Sequence, residues 1–398
     1  MNAFKINLNV TLPLTSLALL LSAQPLFAKE KILHSFADSS RYLFGELVED
    51  HTGSLYGTIF NLADDGSVYQ LKKKSGGWTF KSLHDFDDVD GSDPSAGLTE
   101  SDADRVFYGV TAHGGVHDAG TVFSIAPQGH AWIETVIHSF SGSTDGLIPS
   151  APLLFERSSG RLFGTTEAGG QKSCGTAFQL GLSGGDWTLS TIYNFQGDVD
   201  GCSPITQMQE GPEAGTLIGS TYEGGASNTG TIFELAYSNG VWTKTIIHDF
   251  SGGLDGGVPY DLVKGKGGTI FGVANTGGMF GAGVVFELKP HHGTWRFKVL
   301  YSFGGLDGAN PTGLCFEGNT ESLYGVTKNG GDSTRGIVFQ LVPNGTHWTE
   351  TVVHSFKGGN DGAYPEARPL VDSDTGEVYG TTLAGGTFDS GTVYAITP

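Results

Sequence analysis

The sequence predicts an all-β fold, a seven-bladed β-propeller of four-stranded antiparallel blades, and three observations predict it. A strand-ending motif recurs seven times, a second marker recurs seven times in step with it, and the two ends of the repeated region supply complementary parts of one unit. Composition agrees: 63 Gly against three Met, without long helical periodicity, describes short strands joined by glycine turns.

The first 28 residues differ from the rest. Lys5 gives a basic start, Leu14 to Leu21 is mainly apolar, and Pro25-Leu26-Phe27-Ala28 ends in a small residue. This pattern predicts a secretory signal peptide cleaved near Ala28, with residues 29–398 as one propeller domain. The apolar stretch is too short to span a bilayer comfortably, and no second one follows. A secreted or periplasmic protein without stable membrane insertion is therefore expected. A net charge of -20 repels phosphate backbones, which argues against nucleic-acid partners.

Each unit reads in the same order. His-Xaa-Phe or Tyr-Xaa-Phe ends a strand at Phe36, Phe86, Phe140, Phe195, Phe250, Phe303 and Phe356. Asp-Gly-Xaa-Xaa-Pro follows six of these, from Asp90, Asp145, Asp200, Asp255, Asp307 and Asp361, but not the one at Phe36. A short apolar segment comes next, then a large residue before Gly at Tyr56, Tyr108, Phe163, Ile218, Phe271, Tyr324 and Tyr379. A Gly-Gly pair, a further Gly and a β-branched run follow in six units. A Trp (Trp78, Trp132, Trp187, Trp242, Trp295, Trp348) opens the last strand. Four strand-sized segments in roughly 50 residues make one propeller blade.

The ends complete each other. Residues 31–36 supply only a fourth strand, whereas 366–396 supply three and stop before any Trp. Pairing them closes the ring and leaves no exposed strand edge there. In an antiparallel blade, the Gly-Gly turn and the Asp-Gly-Xaa-Xaa-Pro connection then share one face. That placement brings Cys174 near Cys202, a disulfide candidate in an exported protein. Cys315, in an innermost apolar strand, is expected to be an inert buried thiol.

Repetition also weighs the candidate chemistry. His34, His84, His138, His248 and His354 suggest a metal ring, but Tyr193 and Tyr301 fill the same position, so packing between blades is the expectation. The repeated Asp residues suit tight turns, where a carboxylate accepts backbone N–H bonds. Calcium is the sharper alternative, best motivated at Asp87, Asp88, Asp90 and Asp93, although the spacing completes no known calcium loop. No other cofactor is expected. The Gly-Gly pairs lack the Lys-Ser/Thr and the helix of a phosphate loop. Gly181-Leu182-Ser183-Gly184-Gly185 matches a hydrolase nucleophile pattern, but lies between two strands with no helix after it. No catalytic residue is assigned.

The unit running from Leu162-Phe163-Gly164-Thr165-Thr166 through Gly169-Gly170 and Gly175-Thr176 to Asp200-Gly201 resembles the GloVer tandem repeat of bacterial extracellular proteins. The resemblance spans about residues 31–396. It implies export and repeat architecture and carries no catalytic residues across. Three function classes stay open: a non-catalytic binding or interaction propeller, a carbohydrate-active hydrolase or lyase with an acidic site at the central funnel, and a structural envelope or matrix protein. The absence of an asymmetric catalytic constellation favours the first, with a glycan or another extracellular protein as partner. An enzyme requires polar residues at the funnel that break the sevenfold pattern, and Arg368 is one to examine.

Overall fold

The computed structural model describes residues 28–37, 41–61, 63–101, 105–318 and 320–398. Apart from Ala28, the expected signal peptide lies outside them. The chain forms seven antiparallel sheets arranged as a closed ring, a seven-bladed β-propeller. Blades 1 to 6 span residues 41–85, 99–139, 154–194, 209–249, 257–302 and 309–355, each running in sequence order from axis to rim. Blade 7 takes its three inner strands from 370–397 and its outermost strand from Lys29–Ser35. That strand pairs antiparallel with Thr392–Thr397, from Lys29 opposite Thr397 to Ser35 opposite Thr392. It begins two residues earlier than the sequence suggests. In blade 1 the innermost strand is split into Arg41–Tyr42 and Val48–Glu49, both paired with Leu55–Asn61.

Each outermost strand carries a register shift just before its repeated His or Tyr, as between Val136 and His138 in blade 2 and between Ile32 and His34 in blade 7. The extra residue is aliphatic every time: Leu33, Leu83, Ile137, Ile192, Ile247, Leu300 and Val353. Such a bulge interrupts the strict alternation of a strand and re-aims the residues after it. The repeated Phe is thereby buried in every blade, and its N–H donates to a glycine carbonyl, as Phe140 does to Gly120 at 3.0 Å and Phe36 to Gly391 at 3.2 Å.

The core is divided among the blade interfaces. Seven hydrophobic clusters occupy the seven interfaces, including that between blades 6 and 7 (Tyr324, Val338, Phe356 with Val378, Tyr394) and that between 7 and 1 (Phe36, Val393 with Leu43, Tyr69). No interface lacks its cluster, which is what ring closure requires.

Glycine is demanded where rings approach. A Cβ on Gly164 would stand 2.4 Å from the Phe178 ring, and Gly109, Gly219, Gly272 and Gly325 meet the same aromatic in their own blades. A Cβ on Gly175 would likewise strike Pro204 of the next connection, as Gly120 meets Pro149 and Gly336 meets Pro365. The Asp-Gly-Xaa-Xaa-Pro segment thus locks against the preceding blade. Where the motif is missing, Leu43 packs against Gly391 instead.

Candidate functional site

Two arrangements place polar chemistry: the central funnel, and a set of contacts repeated around the rim.

In each Asp-Gly-Xaa-Xaa-Pro segment the residue before Pro adopts a positive φ, even Ile148 (60°) and Val258 (58°). A β-branched residue rarely accepts that conformation. It is held by its N–H, which donates to the preceding blade's glycine loop, from Ile148 to Ala119 at 3.2 Å and from Val258 to Thr229 at 2.7 Å. The kink turns the residue after Pro toward the axis. Those residues are Ser95, Ser150, Ile205, Tyr260, Thr312 and Glu366, with Phe44 at the matching place in blade 1, and they line a cavity of about 390 Å³.

The sevenfold pattern ends at this ring of positions. Tyr42 stacks on Phe44 (centroids 5.7 Å apart), and Phe44 meets Phe60 edge-to-face at 5.6 Å, making an aromatic side in blade 1. The other side is polar. Tyr260 donates to Glu366 Oε1 at 2.9 Å, and Lys328 Nζ lies 3.2 Å from the same carboxylate. Glu167 and Tyr222 complete the lining next to the Gly-Gly loops. Burial raises the Glu167 carboxyl above its ordinary range, opposed by a hydrogen bond from Ser150. The hydroxyls of Ser95 and Thr312 are buried with no hydrogen-bond partner that the fold itself supplies.

Arg368, the residue singled out from sequence, forms the floor. Its Nε donates to Asp261 Oδ2 at 3.0 Å, and its Nη1 to Gln207 Oε1 at 3.1 Å. Its Nη2 donates to Asp261 Oδ1 and to the Leu262 carbonyl. Glu46 lies 3.8 Å away. Asp261 also accepts the N–H groups of Leu262 and Leu314. One guanidinium therefore ties blades 1, 4, 5 and 7 across the axis, held in place by partners on every side.

At the rim, the two strongest sequence repeats meet. The repeated ring reaches the repeated Asp: His84 to Asp90 (2.9 Å), His138 to Asp145 (3.1 Å), Tyr193 to Asp200 (2.8 Å), His248 to Asp255 (3.3 Å), Tyr301 to Asp307 (2.5 Å) and His354 to Asp361 (3.1 Å). The same Asp accepts a backbone N–H in its turn, as from Ser141 to Asp145 or Gln196 to Asp200. Each ring also packs edge-to-face on the Phe two residues later, and His34, in the unit without the Asp motif, stacks on Phe80 of the next blade. Burial lifts Asp145, but the hydrogen bonds from Ser141 and His138 outweigh it and hold the group below its ordinary range.

Asp87, Asp88, Asp90 and Asp93 do not converge. Asp90 turns to His84 and caps the Asp87 N–H, while the Asp93 carboxyl sits with His113 and Asp65. Among the described residues, sets of three ligand atoms within 4.8 Å occur at His84, Asp90 and Glu134 and at Glu30, His354 and Asp361. The glutamates went unnoticed in the sequence because they follow no motif. Their only signal is a position four residues before a repeated His. The structure pairs Cys174 with Cys202 as a disulfide, Cα atoms 4.5 Å apart. Burial pushes the Cys315 thiol up to about 12. Gly181 to Gly185 spans the end of one outer strand of blade 3 and the tight turn into the next, with no helix after it.

The Gloeobacter/Verrucomicrobia repeat matches three overlapping stretches, residues 41–267, 102–314 and 258–398. The chain belongs to that repeat family. No curated protein matches the sequence. Among solved structures, the repeat chain is similar to a 6-phosphogluconolactonase candidate from Bacteroides uniformis, with 14% identity, TM-score 0.53, and 77% of this chain and 83% of that one covered. A second such candidate, from Bacteroides fragilis, gives 13% identity and TM-score 0.52 over 87% and 89% of the two chains. The extracellular domain of a candidate one-component system from B. thetaiotaomicron gives 12% identity and TM-score 0.56; 92% of this chain is covered but only 40% of that one. These likenesses establish the propeller fold. No helix among the described residues is long and apolar enough to cross a membrane.

Proposed function

We propose that this propeller is an exported binding protein whose central funnel takes a small polyhydroxylated ligand, such as the end of a glycan. The observation that carries the reading is where the repeat stops repeating. A motif kept in six blades delivers Ser95, Ser150, Ile205, Tyr260, Thr312 and Glu366 to one cavity, and Phe44 fills the matching place in the blade that lacks it. A purely architectural ring has no need of such variety at its axis. Buried hydroxyls without partners offer donors and acceptors to hydroxyl groups, and the Phe44 ring, backed by Phe60, offers a face to the apolar side of a sugar. Export accords with the pattern of residues 1–28 and with a disulfide, which persists in oxidising compartments.

The test is a thermal melt and calorimetric titration across a panel of oligosaccharides, with reducing-sugar release assayed in parallel. A ligand that binds only the folded state raises the melting temperature. Binding that Tyr260→Phe and Glu366→Gln weaken at least tenfold, without sugar release, is the expected result. Release abolished by Glu366→Gln would establish the hydrolase reading. No binding by any member of the panel would sink the glycan reading and direct the search to protein partners.

A further inference from the structure

We propose that two of the six ring–Asp contacts at the rim are binding sites for a divalent ion of the zinc class, one formed by His84, Asp90 and Glu134 and the other by Glu30, His354 and Asp361. In both, an imidazole nitrogen and two carboxylate oxygens lie within 4.8 Å of one another. Tetrahedral zinc, with bonds of about 2.0–2.1 Å, spaces its ligands about 3.3 Å apart. The observed separations bracket that spacing: 2.9 Å from His84 to Asp90, 3.1 Å from His354 to Asp361 and 3.7 Å from His354 to Glu30. One imidazole with two carboxylates suits zinc-class ions better than calcium, which prefers six or more oxygens.

A second observation points to a missing partner. Oε1 of Glu30 and Oε1 of Glu134 are both shut off from solvent and accept no hydrogen bond. Burying an unpaired carboxylate beside another is costly unless a cation or proton joins it. The side chains of His84 and Asp90 remain 21% exposed, which leaves an ion a way in and water a fourth position.

The repeat supplies its own controls. The third residue of each contact comes from one position in the next blade's outer strand. At Tyr193 and Asp200 that position is Lys244, whose Nζ lies 2.9 Å from Asp200, so there a cation is built into the chain. At His248 it is Phe297, stacked on the imidazole at 3.8 Å. At His138 it is Leu189, which offers no ligand atom. Glu350 fills it at Tyr301, where a phenol replaces the imidazole and is a far weaker ligand. Only the two sites named combine imidazole, Asp and Glu.

The protein, stripped with a chelator, is titrated with zinc chloride by calorimetry while its melting temperature is followed. Two equivalents bound, with a rise in melting temperature, are expected. Glu134→Gln and Glu30→Gln should each remove one equivalent, and His138→Gln should leave both. No binding at micromolar zinc, or two equivalents kept by the double variant Glu30→Gln/Glu134→Gln, would overturn the proposal. Should that double variant fail to fold, X-ray absorption of the zinc-loaded protein decides. A nitrogen and oxygen shell with imidazole scattering supports the sites, and a shell without imidazole refutes them.

Discussion

At the residue scale, the glycines and one arginine make the sharpest claims. Gly164 faces the Phe178 ring so closely that Gly164→Ala must displace a buried aromatic, a change of the overpacking kind that costs about 1–3 kcal/mol. Gly181, in the outer half of the same blade, has open space at its Cβ, and Gly181→Ala should stay within about 0.5 kcal/mol of the parent. Thermal melts of the two variants make the comparison, and equal losses would contradict the packing account. Arg368 tests the axis. Replacing it with Met leaves Asp261, a buried carboxylate, without its cation, and a loss of about 3–5 kcal/mol is expected in denaturant unfolding. Adding Asp261→Asn should recover part of that loss, because the uncompensated charge is then gone.

At the element scale, the outermost strands decide pH behaviour. Burial, then a hydrogen bond with Asp361 and its charge, raises the Glu30 carboxyl from 4.5 to about 9. Burial and Asp90 raise Glu134 to about 7, and burial and Asp307 raise Glu350 to about 7. A carboxyl raised on folding favours the folded state while it is protonated. Its contribution is fully present below 4.5 and is lost as pH climbs through the folded value, so the window closes near 7 for Glu134 and Glu350 and near 9 for Glu30. Asp145 and Asp361, depressed in the fold, act in the opposite sense and withdraw stability as pH falls below their ordinary 3.8. In chelator, the melting temperature should therefore peak between about pH 4 and 6 and decline toward pH 9. Glu30→Gln should flatten the alkaline decline and leave pH 5 nearly unchanged. A parallel decline in both proteins would refute the assignment to Glu30.

At the scale of the whole molecule, closure is the issue. Lys29–Ser35 covers the edge of Thr392–Thr397, and without it that edge is an unpaired row of N–H and C=O groups beside the cluster at the interface of blades 7 and 1. Deleting residues 29–35 should lower the melting temperature and produce concentration-dependent association, read by light scattering. A monomer of unchanged stability would contradict the closure role. The disulfide acts more locally, since Cys174 and Cys202 are 28 residues apart. By the chain-entropy estimate, its removal by paired Cys→Ser changes costs at most about 3.5 kcal/mol.

How much of this was legible in the sequence differs by feature. Blade number, strand order, the closing strand and the shared loop face follow from spacing, because each blade is built from local hairpins whose turns carry their own chemistry. The ring–Asp contacts were half legible: both members were visible as repeats, but nothing local shows that a bulge at residues such as Ile137 swings His138 onto Asp145. The funnel was hidden. Ser95, Tyr260 and Glu366 are unrelated letters after a proline until the ring brings them to one axis.

The sequence by itself determined the family, the seven-blade ring and the residues that keep it regular, since a repeat must satisfy the same packing at every interface. Only the tertiary structure decided which irregular residues meet: Arg368 with Asp261 across the axis, and Glu134 with His84 and Asp90 across a blade boundary. The physical reason is separation along the chain. Repetition records contacts made over and over between neighbours, whereas a site made from unrepeated residues far apart in the chain leaves no periodic trace.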